Sequence, residues 1–264
     1  MKKIIKYLFL LTGGSFILAS CNDFLDREPL DSVTPDSFFF TENDLAAYAV
    51  KHYNFTTHEG FNAGIWKNDN ATDNQAATDY DKKWIPGQWK VPEAYDNPAS
   101  NDPWYFSAIR EANYFLETVV PRFEKGEIEG SETNIKHYIG EMYFLRAKNY
   151  LSKLETFGDF PIIKNTLPDE SESLIQASKR APRYKVAHFI LEDLDQAISL
   201  LTNNISGGKN RITKNAALLL KSRAALFEAS WLTYHKGTAL VVQDGRERQK
   251  TLQTLISIRK SHFF

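Results

Sequence analysis

From Trp104 onward, apolar residues return at every third or fourth position, the signature of helices that bury one face. Ile109, Ala112, Phe115, Leu116 and Val119 predict a first such helix, which Pro121 is expected to stop. A longer helix is predicted over residues 132–157, with Ile139, Met142, Tyr143, Ala147, Tyr150 and Leu154 facing inward. Gly158 suits the residue just past its last turn, and Pro161 prevents continuation. Residues 184–202 form the cleanest amphipath. Ala187, Ile190, Leu191, Leu194, Ala197, Ile198 and Leu201 make the stripe, with Glu192, Asp193, Asp195 and Gln196 opposite. Thr213 is placed to cap a fourth helix running to about Tyr234, and its apolar run at 216–220 implies burial on most sides. Upstream, Thr41-Glu42-Asn43-Asp44 has the spacing of a helix start, with Leu45, Tyr48 and Ala49 on one face.

Residues 54–103 break the pattern. They hold almost no helical periodicity, are dense in Asn, Asp, Gly, Pro and Thr, and carry Trp66, Trp84 and Trp89. An irregular stretch near fifty residues is uncommon in a compact domain and usually carries function. Residues 22–36 are polar, contain two prolines and read as an extended tether. Before them, Lys2, Lys3 and Lys6 precede an apolar stretch over residues 7–18 that is short for a membrane span and interrupted by Gly13, Gly14 and Ser15. Leu18-Ala19-Ser20 then leads into Cys21, the only cysteine. This arrangement resembles a bacterial lipobox, which implies a signal peptide over residues 1–20 and lipidation of Cys21. With one cysteine, the chain has neither an internal disulfide nor a multi-cysteine metal site.

Composition narrows the classes. Hydrophobic content of 42% and charged content of 25% are those of a folded domain. The formal charge is −1, and losing the three signal-segment lysines takes it to −4, so no basic surface for a phosphate backbone is expected. Nucleic acid is therefore excluded as a partner class. Eighteen Phe, twelve Tyr and five Trp make aromatics the departure from an average chain, and their positions decide whether they serve core or ligand.

Met142-Tyr-Phe-Leu-Arg146-Ala147 and Leu219-Leu-Lys-Ser-Arg223-Ala224 each set Arg-Ala behind a large apolar residue, with the two arginines 77 residues apart. That distance is close to two periods of a helix-hairpin repeat and points to a tetratricopeptide-like array, with a generic helical bundle as the alternative. The stretch from Gly140-Glu141 through Arg146-Ala147 to Phe157-Gly158-Asp159-Phe160-Pro161 resembles the most diagnostic segment of the SusD/RagB nutrient-binding lipoproteins. Trp104 with Ile109-Arg110-Glu-Ala112-Asn113, Glu192-Asp193-Leu194 with Ala197-Ile198, and Arg211-Ile-Thr213 with Arg223-Ala-Ala-Leu226 resemble further family segments in the same order, as does Cys21 followed by Phe24-Leu25-Asp26.

The resemblance implies a mostly α, SusD-like fold in which tetratricopeptide-like helices carry a long irregular loop insertion. It also implies a lipid-anchored protein of the outer membrane, facing the exterior. Such a protein would bind oligosaccharide, or less often peptide, without catalysis or cofactor, and pass it to a SusC-like TonB-dependent transporter. The corresponding organisation is a signal peptide over 1–20, a lipidated tether over 21–40 and a helical domain over 41–238. Family members run to about twice this length. Residues 239–264, with five basic residues against two acids and no family pattern, are expected to be a non-native tail of a shortened product, which would bind weakly and dissolve poorly.

The candidate ligand residues are Trp66, Trp84 and Trp89 with Asn68, Asp69, Asn70, Asp73 and Asp79. Sugar rings lay C–H faces on aromatic planes and need short polar side chains at the rim, which suits this interleaving. The competing reading has the tryptophans pinning the loop onto the helices, and Trp104 is expected in the core. His52, His58, His137, His188, His235 and His262 lack metal-site spacing, and Asp69, Asp73 and Asp79 lack the glycine and terminal Glu of an EF-hand, so no metal is expected. No acid/base pair is recognisable, which leaves a surface glycoside hydrolase behind a non-enzymatic glycan binder and a helical scaffold for protein partners. Arg146, between apolar faces, is expected to pair with a buried acid or carbonyl.

Overall fold

In the computed structural model, the described residues are 38–55, 104–205, 210–238 and 240. The chain divides between Phe38 and Phe39, and every described helix belongs to the second unit. In chain order these are α1 (Glu42–Lys51), α2 (Ser107–Lys125), α3 (Glu132–Phe157), α4 (Ser171–Ala177), α5 (Arg183–Leu200) and α6 (Lys214–Tyr234). The described part is thus mostly α, as expected.

Helix α1 starts where the sequence sets its cap. Thr41 Oγ1 accepts from the Asp44 N–H at 3.3 Å, and the Asp44 carboxylate accepts from the Thr41 N–H at 3.0 Å. Just before it, Phe39 is fully buried and holds a left-handed φ of 72°. Its ring meets Tyr48 at 5.1 Å and Phe115 at 5.3 Å, both edge-on, and this packing offsets a backbone cost of about 1–3 kcal/mol. Glu42 reaches across to accept from the Ser131 N–H at 2.7 Å, so a side chain of α1 caps the start of α3.

Helix α3 is the hub, packed against α1, α2, α5 and α6. It spans 26 residues and buries fourteen of them, including Glu141, Arg146 and His137, so no single inner face exists. Tyr143, expected inside, is only half-buried, with the Arg146 guanidinium 5.5 Å from its ring centre. Gly140 lets α5 approach closely, since a Cβ there would lie 3.0 Å from Leu201 Cγ. Pairs along the helices fix directions. Tyr105 with Lys153 and Asn113 with Arg146 set α2 antiparallel to α3. Arg146 with Asp193 and Tyr150 with Phe189 set α5 antiparallel to α3. Arg183 with Glu228 and Asp195 with Lys221 set α6 antiparallel to α5. Antiparallel neighbours in succession are what a helix-hairpin array requires.

Several local expectations need correction. Helix α2 does not stop at Pro121 but runs one more turn to Lys125 and ends on the left-handed Gly126. The ring stands at an exposed position, so the carbonyl it leaves without a helical donor is open to water. The run at 216–220 is not buried on most sides: Ala217 is buried, Leu219 is 73% exposed, and the α5 contact takes only one face of α6. Ile198 is half-buried at the edge of its stripe. Asp193, assigned to the polar face of α5, is buried. The likeness of the Arg146 and Arg223 segments does not extend to their surroundings, because Arg146 is in the core and the Arg223 side chain is 72% exposed. The short helix α4 buries nothing and left no periodic trace in the sequence.

Candidate functional site

The residues most diagnostic in sequence meet in the core. Arg146 grips Asp193 with two prongs, Nε to Oδ2 at 2.8 Å and Nη2 to Oδ1 at 2.7 Å. Its Nη1 donates to Asn113 Oδ1 at 2.9 Å and to the Lys164 carbonyl at 3.2 Å. Asn113 in turn donates to the Ile163 carbonyl at 2.9 Å, and Tyr150 Oη accepts from the Ile163 N–H at 2.8 Å. One arginine thereby joins α2, α3, α5 and the segment after Pro161, as expected for a structural partner of a buried acid. Burial lifts the Asp193 carboxyl above its usual range, against the pull of Arg146.

Two more pairs repeat the device. Arg183 holds Glu228 at 2.8 Å and lies 4.0 Å over the Trp231 ring. Burial also raises the Glu228 carboxyl, opposed by Arg183. Arg211 pairs with Glu141 through both carboxylate oxygens. Glu141 Oε1 further accepts from Tyr53 Oη at 2.7 Å and lies 3.1 Å from His137 Nε2. Because His137 Nδ1 accepts from the Thr202 N–H at 3.2 Å, Nε2 carries the ring proton and donates to Glu141. The Phe-Gly-Asp segment is explained locally: Asp159 accepts from the Arg183 N–H at 2.8 Å and caps α5, whose N-cap Pro182 has no side chain to do so. These groups are satisfied by one another and present no free chemistry to a ligand.

Space for a ligand lies at the edges of the helical body. An apolar cavity of about 390 Å³ is walled by Trp104, Phe106, Ile109, Pro161, Leu167 and Leu174. Trp104 is half-buried rather than core, with Phe157 at 4.2 Å and the Arg180 guanidinium at 4.7 Å from its ring. A second, polar cavity of about 270 Å³ lies between the end of α1, the start of α2 and the middle of α3. Lys51, His52, Asn54, Glu111, Lys148 and Asn149 supply its polar groups. The chain leaves the helical body beside it at Asn54 and returns beside it at Tyr105.

Trp66, Asn68, Asp69, Asn70, Asp73, Asp79, Trp84 and Trp89 all belong to the connecting stretch and lie outside the described residues, as does Cys21. His52 and Lys148 were missed as candidates. They are 96 residues apart and approach only because α1 runs beside α3, a pairing with no local signal in the sequence. Among the described residues no group of three or more His, Cys, Asp or Glu side chains is placed to hold a metal ion.

A profile of SusD-like proteins, described as starch-binding and associating with the outer membrane, matches residues 23–226. SusD-like protein P2 of Formosa agariphila is 26% identical over 186 residues, which cover 68% of this chain and 35% of that protein. SusD-like protein P38 of the same organism is 27% identical over 203 residues, 75% of this chain and 37% of the relative. The chain thus spans little more than a third of the length of these curated relatives. A solved SusD-like protein from Bacteroides fragilis superposes with a TM-score of 0.59 at 23% identity, covering 90% of this chain and 41% of the other. At that identity the likeness establishes the fold.

Proposed function

The chain belongs to the SusD-like family, and on that premise we propose that it is a non-catalytic glycan-binding lipoprotein of the outer membrane. The observation that carries this reading is the family match over residues 23–226, within a description that names starch binding and the outer membrane. Residues 1–20 are the signal peptide in this proposal, Cys21 carries the lipid, and residues 41–238 form the ligand-handling domain at the cell exterior. The partner is a SusC-like TonB-dependent transporter that receives the captured oligosaccharide. Trp66, Trp84 and Trp89 provide ring platforms, and Asn68, Asp69, Asn70, Asp73 and Asp79 take sugar hydroxyls at the rim. The described core supports a rigid carrier for such a surface, because its ion pairs are internally satisfied and the polar cavity borders both ends of the tryptophan-bearing stretch.

Affinity electrophoresis through starch and a panel of other polysaccharides tests the reading. Retardation by at least one polysaccharide, lost when Trp66, Trp84 and Trp89 are all changed to Ala, is the expected result. Retardation unchanged in the triple variant removes the site assignment, and no retardation in any gel removes glycan binding. Released reducing sugar in the same incubations would favour a hydrolase instead.

A further inference from the structure

We propose that the apolar cavity between the start of α2 and the loop carrying α4 binds a small organic acid, its apolar body inside and its carboxylate toward Arg110. The inference goes beyond the glycan reading, because it concerns a different place and a ligand without ring hydroxyls. Apart from Arg110, Asn113, Asn165 and Ser178, every residue of the wall is apolar. The buried Asn113 directs its amide donors to the Ile163 carbonyl at 2.9 Å and the Asn165 carbonyl at 3.3 Å, and its Oδ1 accepts from Arg146 at 2.9 Å. Ser178 Oγ donates its proton to the Ile175 carbonyl at 2.7 Å. Arg110 and Asn165 are exposed, so water reaches them. A hydroxylated ring seated inside would leave most of its hydroxyls without partners, whereas an apolar body meets no such penalty.

Helix α4 supplies an independent observation. It buries none of its residues, and Leu174 and Ile175 stand 42% and 59% exposed. Leu174 is part of the cavity wall, so an occupant would cover it. Exposed apolar side chains beside an apolar recess mark an interaction site. The Phe160 and Ala181 backbones exchange two hydrogen bonds of 3.1 Å, which tie the base of the loop that carries α4. The volume of about 390 Å³ falls within the small-molecule range, and an apolar cavity of roughly 150 Å³ already admits a benzene ring. One aromatic ring on a short aliphatic chain therefore fits. Charge then selects the head group. Among the described residues no carboxylate side chain lines the cavity, and Arg110 forms no ion pair. A second exposed cation, Arg180, stands 4.7 Å from the ring centre of Trp104, another wall residue. Solvent-exposed charges of this kind favour an anionic head over a cationic one by about two- to fivefold.

The test uses the full chain, with the Ile109 and Leu167 methyl groups followed by ¹³C NMR during titration with 3-phenylpropionate, 3-phenylpropanol, 3-phenylpropylamine and methyl glucoside. Two variants are titrated in parallel and checked for native circular dichroism. Leu174→Trp fills the cavity from an exposed position, and Arg110→Gln removes the charge of the wall. The expected result is saturable methyl shifts with the three phenyl compounds and none with methyl glucoside. The acid should bind about two- to fivefold more tightly than the amine, a preference that Arg110→Gln reduces, and Leu174→Trp should weaken all three about tenfold or more. No saturable shift with the acid overturns the site. Undiminished binding in Leu174→Trp overturns the cavity as the place, and saturation by methyl glucoside overturns its apolar chemistry. Equal affinity for acid and amine in the wild type, or an unchanged preference in Arg110→Gln, overturns the assigned head group. Polysaccharide retardation is independent of these results and tests the glycan reading alone.

Discussion

Arg146 on α3 and Asp193 on α5 form a buried two-pronged ion pair, with Nε–Oδ2 at 2.8 Å and Nη2–Oδ1 at 2.7 Å. The pair sits where the two most extensively packed helices cross, and Asn113 and the Lys164 carbonyl take the remaining guanidinium donor. Removing one partner strands a charge, whereas removing both lets apolar surface fill the space. Arg146→Met or Asp193→Leu alone should cost about 3–5 kcal/mol. The double change Arg146→Met with Asp193→Leu should cost clearly less than the sum of the two singles. Urea denaturation of the four proteins of the cycle measures this, and additive costs would remove the ion pair as the reason for burial.

Gly158 and Gly126 both end helices at left-handed φ, 72° and 71°, but their surroundings differ. A Cβ at Gly126 meets nothing within 4 Å, while one at Gly158 lies 3.2 Å from Arg183 Nη1. Gly126→Ala should therefore cost only the backbone strain, about 1–2 kcal/mol. Gly158→Ala should cost more, because it also disturbs the guanidinium that holds Glu228. Equal melting temperatures for the two variants would contradict this ordering.

His52 gives stability an acid-side slope. Burial lowers its folded-state pKa below the ordinary 6.5, so between the two values the unfolded chain binds more protons. Its contribution is fully present above about pH 6.5 and is lost as pH falls through the lowered folded value. Wild-type unfolding free energy should fall on acidification across that window, and His52→Phe should flatten that part of the curve. Parallel curves for the two proteins would show that folding does not move the imidazole pKa.

Leu219 is the clearest exception to the apolar periodicity of α6. It is 73% exposed, so Leu219→Lys should change stability by no more than about 0.5 kcal/mol, whereas Ala225→Lys, at a fully buried position, should unfold the helix from α5. Chemical denaturation of the two variants separates a solvent face from a packed one.

Sequence by itself determined five of the six described helices, because their caps and stripes are local matters; the end of α2 at Lys125 and the short α4 were not legible. Thr41 caps α1, Gly158 closes α3 and Thr213 caps α6, as spacing and side-chain chemistry require. The family segments were legible for the same reason, since Arg146, Asn113 and the Phe157-Gly158-Asp159 turn stand at fixed positions within single helices or turns. Tertiary structure alone decided which charges are core. Asp193 reads as solvent-facing on the α5 wheel and becomes buried only because α3 brings Arg146 to it. It likewise decided that Leu219 faces outward, that Trp104 packs against Phe157 and Arg180 at only half burial, and that His52 shares a cavity with Lys148. A helix wheel records the preference of one element, but burial and partnership are properties of a pair.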